Sequence, residues 1–336
     1  MEEIMRIMVF DVPAESGGAL SVLHEFYNEF KLDRENEYIF VLSLPELKET
    51  SNIKVLRFPW IKKGWGQRLY FDHFIAPKLI SKYKVDRVLS LQNIMIPHTK
   101  VYQSVFVHNA LPFSEYRFSI FKNRLLWVYQ NIISRSIFSS IRRADRVIVQ
   151  TNWMRDICVE KLNINSDKVD VIPPKLEIEV NNTFLMTKES LSTFFYPASG
   201  VFFKNHSIVI DACLKLKEEG VTDYKVIFTI NGDENKHIEE LYTRVQENQL
   251  PVEFIGSISR DRVYDYYTNS ILLFPSFIET VGLPLLEAQF FNSPIIAIDL
   301  EYSKSVLKDY AGANFFRSNN CAELSVIMRN YINYKG

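Results

Sequence analysis

The sequence predicts an α/β protein built from two doubly wound, parallel-sheet domains in tandem. Short apolar runs alternate with longer segments of helical period, the pattern of a parallel sheet covered by helices on both faces. That alternation is broken once, at Pro173-Pro174 and the polar stretch after it, and then restarts. The length, 336 residues, suits two domains of roughly 150 residues better than one core.

Taken in order, residues 4–10 form an apolar run and 13–18 read as a turn. Residues 19–30 then carry Leu20, Leu23, Phe26, Tyr27 and Phe30 at helical spacing. Further strand-like runs fall at 38–42, 87–90, 104–108, 147–150 and 169–172, so residues 1–175 make the N-terminal domain. Residues 176–190 lack regular hydrophobic period and are expected to be a linker. The C-terminal domain, 191–320, runs strand 194–196, helix 207–217, strands 225–230 and 252–255, helix 260–268, strand 271–274, helix 283–291 and strand 295–298. A final helix, 321–336, is expected to pack back toward the N-terminal domain. Ligands of open α/β sheets bind outside the carboxyl ends of the strands, so two such edges facing across a cleft would make one site.

Composition narrows the function classes. With 47% hydrophobic and 24% charged residues, 11 Gly and 13 Pro, the chain is neither disordered nor collagen-like. Cys158, Cys213 and Cys321 are too scattered for a disulfide framework or a zinc site, which points to a reducing compartment. The first residues are acidic and the first apolar run stops at Asp11, so no secretory signal is read and a cytoplasmic location is expected. No apolar stretch approaches the roughly 20 residues of a membrane-spanning helix. Neither G-x-G-x-x-G nor G-x-x-x-x-G-K-[ST] occurs, which removes the usual nicotinamide and P-loop readings.

The segment richest in chemistry runs from Phe274-Pro275-Ser276 through Glu279-Thr280-Val281-Gly282-Leu283-Pro284 to Glu287-Ala288. An apolar strand ends at Pro275, and Pro284 suits the first turn of a helix. Backbone amides at Thr280, Val281, Gly282 and Leu283 would then face an anion at a helix N-terminus, where the dipole contributes about 0.3 to 2 kcal/mol. Gly282 would let a ligand approach the main chain. Glu279 and Glu287 flank this position, as hydroxyls on either side of a diphosphate would require. Solvated carboxylates are the plainer reading of such a pair; the residues between them separate the two.

Glu279 to Glu287, in its setting of Pro275-Ser276, Gly282-Leu283-Pro284 and Glu287-Ala288, resembles the E-x7-E signature of retaining glycosyltransferases of family 4 with the GT-B fold. That fold has two Rossmann-like domains facing across a cleft. The resemblance extends less specifically from Gly17-Gly18 to Pro294-Ile295-Ile296-Ala297 and Asp299. It implies that Glu287 binds the ribose of a nucleoside-diphosphate sugar, that Glu279 lies beside the donor sugar, and that amides near Val281 to Leu283 hold phosphate. It also implies a basic pair for the diphosphate. Lys204 matches the lysine of that pair, or is a solvated loop lysine, but Pro197-Ala198-Ser199-Gly200 stands where the arginine is expected. Gly17 and Gly18 match the loop that admits donor phosphates, although a tight turn explains two glycines equally well.

His108 and Asn109 end a strand-like run where the family places a histidine near the reacting centre; His108 is the catalytic candidate with Glu279 and Lys204, and both are candidates for acceptor binding. A core histidine bonded to backbone is the other reading. The resemblance further implies retention of anomeric configuration, with no cofactor beyond the sugar nucleotide and no metal. An epimerase or hydrolase of the same fold, or a silent GT-B scaffold, are the alternatives.

Charge is uneven. Residues 57–146 hold 16 basic and 4 acidic side chains, with Trp60, Trp65, Tyr70, Phe71 and Phe74 among Lys62, Lys63, Arg68, Lys78 and Lys82. A second aromatic and basic block spans 118–146. Such patches suit an anionic membrane surface and a lipid-linked glycan acceptor. Alternatively Phe118, Phe121, Leu125, Tyr129 and Ile132 are the buried stripe of a long helix. Nucleic acid is not expected, because no recognised binding motif accompanies the patch. The combined expectation is a hexosyltransferase of capsule or lipopolysaccharide assembly.

Overall fold

The computed structural model describes residues 4–15, 17–121 and 123–334. Residues 1–3, part of the leader reading, and 335–336, part of the expected final helix, lie outside these. The chain divides into two compact units, Met1–Lys175 and Leu176–Gly336.

In the first unit the strands are β1 (Arg6–Asp11), β2 (Glu37–Leu42), β3 (Ile53–Arg57), β4 (Arg87–Ser90), β5 (Tyr102–Phe106), β6 (Arg146–Val149) and β7 (Val169–Val171). They form one parallel sheet in the order β3-β2-β1-β4-β5-β6-β7. The order reverses at β1, so the crevice of a doubly wound sheet falls between β1 and β4. Two apolar layers cover the sheet: Met8, Phe10, Ile39 and Val41 pack with Phe71 and Ile80 on one side. Val9, Phe40, Leu42 and Leu89 pack with Val22, Leu23 and Tyr27 of the helix Gly17–Leu32 on the other.

The second unit repeats the plan with β8 (Thr193–Tyr196), β9 (Lys225–Phe228), β10 (Val252–Phe254), β11 (Ile271–Phe274), β12 (Ile295–Ile298) and β13 (Ala313–Phe316), in the parallel order β10-β9-β8-β11-β12-β13. Its crevice lies between β8 and β11. Every residue of β8, β11 and β12 is buried, which is why these strands read as unbroken apolar runs rather than as alternating ones.

Several elements differ from the sequence reading. The edge strands β3 and β13 were not anticipated; each is only partly buried and carries a weak pattern. The helix Lys236–Glu247 was also missed, although Asn235 caps it and it buries Ile238, Leu241 and Val245 at helical spacing. The run expected to end at His108 is strand to Phe106; the Val107 amide still donates to the Ile148 carbonyl of β6 (2.8 Å), but the His108 amide donates to Asn93 Oδ1 (2.8 Å) instead of to a neighbouring strand. Residues 176–190 are not all linker. Phe184 and Leu185 bond to the carbonyls of Phe291 and Thr268, and Lys188–Leu191 is a helical turn capped by Thr187. The final helix, expected over 321–336, runs Cys321–Ile332. It packs within its own unit on the helix His206–Glu218, with Arg329 bonded to Glu219 (2.7 Å).

Candidate functional site

Two loops at the carboxyl ends of β8 and β11 build the candidate site. The Phe277 amide and the Ser276 hydroxyl both donate to the Phe203 carbonyl (3.0 and 3.3 Å), and Asn205 Nδ2 donates to the Pro275 carbonyl (3.3 Å). This stitching brings together two residues that stand 75 apart in sequence: Lys204 Nζ donates to Glu279 Oε1 at 2.5 Å, with both side chains mostly buried. Two fully buried tyrosines support the loops from below. Tyr196 donates to the Lys204 carbonyl (2.8 Å) and Tyr302 to the Ser276 carbonyl. Burial, then the Glu279 charge, holds both phenols far above their usual range, so they remain neutral donors.

The helix Leu283–Phe290 starts where the sequence places it, with Pro284 in its first turn. Gly282 precedes it at φ +74°, and a Cβ there would stand 3.1 Å from the Phe274 ring and 3.2 Å from Leu285. Glycine is thus demanded by the chain itself, whereas the sequence reading assigned it to ligand approach. Among the described residues the amides of Val281, Gly282 and Leu283 donate no hydrogen bond, while Leu285 N–H turns back to the Gly282 carbonyl (2.8 Å). Val281 and Gly282 are buried and Leu283 and Pro284 are half-buried; Thr280 has its own partner.

Glu287 lies one turn into this helix and is 8% exposed. A buried carboxylate needs partners. Tyr267 donates to Oε2 (3.0 Å) and Arg260 Nη2 to Oε1 (3.1 Å). Sequence reasoning missed both; Tyr267 and Arg260 share the helix Arg260–Asn269, and the need for a counter-charge was the only signal. Also unforeseen is a cavity of about 350 Å³ at the ends of β8, β9 and β10, lined by Pro197, Ser199, Gly200, Asn231, Ser257 and Val263 among others.

In the first unit, Gly17 (φ +60°) and Gly18 open the helix Gly17–Leu32 on an exposed surface. A Cβ at Gly18 would meet nothing within 4 Å, so internal packing does not explain that glycine. His108 is half-buried with its ring edge-on to Phe106, and its nitrogens make no hydrogen bond among the described residues. Desolvation lowers its pKa to about 4, leaving a neutral imidazole. Asn109 is more committed: its Oδ1 accepts from Leu111 N–H (2.9 Å) and its side chain also bonds Tyr129. Near these, at the ends of β1 and β4, Asp11 is fully buried and Gln92 is buried with no hydrogen-bond partner on either polar atom among the described residues. Burial raises the Asp11 carboxyl to about 8, against the pull of the Ala14 backbone, Arg68 and Lys62.

The aromatic and basic patch is largely at the surface. Trp65, Leu69, Tyr70 and Phe74 are exposed, as are Phe121 (96%), Leu125 and Ile132; Phe118 alone of the supposed stripe is deeply buried. No helix among the described residues is long and apolar enough to cross a membrane.

Two parallel-sheet Rossmann-like units, with an acid-flanked helix start at the second crevice, define the GT-B class of glycosyltransferase. Residues 16–179 match Glycosyltransferase Family 4 and residues 185–333 match Glycosyl transferases group 1. The chain therefore belongs to the family 4-type glycosyltransferases.

Among curated relatives, it is 22% identical over 244 residues to the O-antigen chain mannosyltransferase RfbU of Salmonella typhimurium, covering 72% of this chain and 64% of that one. It is 21% identical over 256 residues to the capsular polysaccharide biosynthesis glycosyltransferase CapH of Staphylococcus aureus, covering 72% and 70%. Of solved structures, sucrose-phosphate synthase from Thermosynechococcus elongatus superposes with a TM-score of 0.72 at 12% identity, covering 98% and 90%. Anabaena Alr3699/HepE in complex with UDP and glucose gives 0.65 at 14%, with the same coverage.

Proposed function

We propose that this protein transfers a hexose from a nucleoside-diphosphate sugar to a glycan or lipid-linked glycan of the cell surface, with retention of configuration and without a metal. The observation that carries the reading is the Lys204–Glu279 pair set beside a helix start whose amides are uncommitted, one turn from the Glu287 carboxylate. Glu287 accepts the ribose hydroxyls, the amides at Val281 to Leu283 and Lys204 take the diphosphate, and Glu279 holds Lys204 while facing the sugar. The cavity at the ends of β8, β9 and β10 has the size for a nucleobase. Surface-polysaccharide assembly is supported by the names of the relatives RfbU and CapH.

In the reaction the acceptor oxygen bonds to the anomeric carbon as the bond to the diphosphate oxygen breaks with its electron pair. The acceptor proton passes to the departing phosphate. Negative charge grows on the leaving group, so Lys204 and the helix amides act more strongly in the transition state than before it. His108, neutral and unpartnered among the described residues, together with Asn109, orients a hydroxyl of the donor sugar or of the acceptor; Gly17 and Gly18 leave room for a ligand at their helix start. The exposed aromatics among Lys62, Lys63, Lys78, Arg124 and Arg135 dock the first unit on the anionic cytoplasmic face of a membrane.

Donor release by the wild type, screened over uridine, guanosine and deoxythymidine diphosphate sugars with and without an acceptor glycan, tests the reading. Lys204→Ala is expected to lower kcat by about 100-fold with a smaller change in KM. Donor turnover that ignores acceptor would favour a hydrolase or epimerase, and wild-type kinetics in the variant would end the site assignment.

A further inference from the structure

The donor reading sets a multiply charged diphosphate at the start of the helix Leu283–Phe290, and the role of Arg260 rests on that reading. Lys204 is already bonded to Glu279, so the pair brings no net charge to this anion. The loop after β8, Pro197 to Gly200, contains no cation. Arg260 is a cation that a hydrogen bond ties to one of the donor residues, Glu287. Its guanidinium donates to Glu287 Oε1, lies against Tyr264 (5.5 Å to the ring centroid) and stays 60% exposed at the side chain. The guanidinium end of this pair is open to water, which solvates it when it leaves the buried carboxylate.

Glu287 stands four residues beyond Leu283, which at about 1.5 Å per residue is roughly 6 Å along the helix axis. An arginine side chain spans that distance. Tyr267 holds the other oxygen of Glu287, so the carboxylate keeps its orientation if Arg260 leaves.

We propose that Arg260 is the second cation of the donor subsite. As ribose hydroxyls take its place on Glu287, its guanidinium turns to the diphosphate, whose oxygens match the fork of N–H donors. The exchange keeps Glu287 bonded and adds one positive charge to the anion.

Calorimetric titration of the full chain with uridine, UMP and UDP, and with the matching guanosine and deoxythymidine series, tests this. Arg260→Ala is expected to weaken diphosphate binding about 10- to 100-fold and to leave nucleoside binding within a few fold. Arg260→Lys should restore part of the loss and Arg260→Gln none; the exposed position lets all three fold, as thermal melting would check. Equal weakening of nucleoside and diphosphate would mean that Arg260 only holds Glu287, overturning the proposal while the donor reading stands. Unchanged diphosphate affinity in Arg260→Ala overturns it too. A wild type that binds none of the diphosphates overturns the donor reading and this inference together.

Discussion

At the scale of single residues, the buried titratable groups make opposing contributions to stability. Asp11 has its folded-state pKa raised from 3.8 to about 8 by burial. Between those values the folded chain keeps a proton that the unfolded chain has released, so this group's contribution declines as pH rises from about 4 to 8. His206, 1% exposed between the Tyr196 and Phe228 rings, is held down to about 3 by burial and the neighbouring His237 and Lys204 charges. There the unfolded imidazole takes the proton, and stability is lost as pH falls below about 6.5. Asp11→Asn, which preserves shape, is expected to remove the first of these trends. Urea unfolding from pH 4 to 8 should show the variant gaining on the wild type with rising pH, by at most about 1.4 kcal/mol per unit. Parallel curves would show that Asp11 is ionised when folded.

At the scale of elements, two glycines at helix starts make contrasting predictions. Gly282 sits in the left-handed region against Phe274, so Gly282→Ala is expected to destabilise the chain by roughly 1 to 3 kcal/mol in denaturant melts. Gly18 has no such constraint. Gly18→Ala should leave the melt within about 0.5 kcal/mol and lower turnover if a ligand rests against that surface; unchanged kinetics would detach this helix start from the site. The sequence showed the strand before Glu279 and the helix that carries Glu287 because both are short, apolar and bounded by proline. It did not show the Phe203–Ser276–Phe277 bonds that align their loop with Lys204, since those depend on where the backbone passes rather than on side-chain type.

For the molecule as a whole, each unit carries its own parallel sheet and its own crevice, and surface character differs along the chain. The aromatic and basic surface of residues 57–146 lies in the first unit. Pelleting with vesicles of anionic phospholipid should retain the protein, release it at high salt, and fail with vesicles of zwitterionic lipid alone. Phe121→Ser and Phe74→Ser are expected to weaken retention without altering the melt, since both rings are exposed. Retention that is independent of lipid charge would remove the membrane role. The buried-stripe reading of this block was mistaken for most of its residues because helical spacing states which side chains share a face and is silent on what that face meets.

The sequence by itself determined the two parallel-sheet units, the helix start at Leu283, and the carboxylates Glu279 and Glu287 around it. These come from local period, from proline and glycine chemistry, and from a motif contained within fifteen residues. Only the tertiary structure decided that Lys204 bonds Glu279, that Arg260 and Tyr267 hold Glu287, and that Asp11 and Gln92 are buried. Each depends on residues far apart in the chain meeting at strand ends. Sheet order governs such meetings, and sheet order is a property of the fold rather than of any segment.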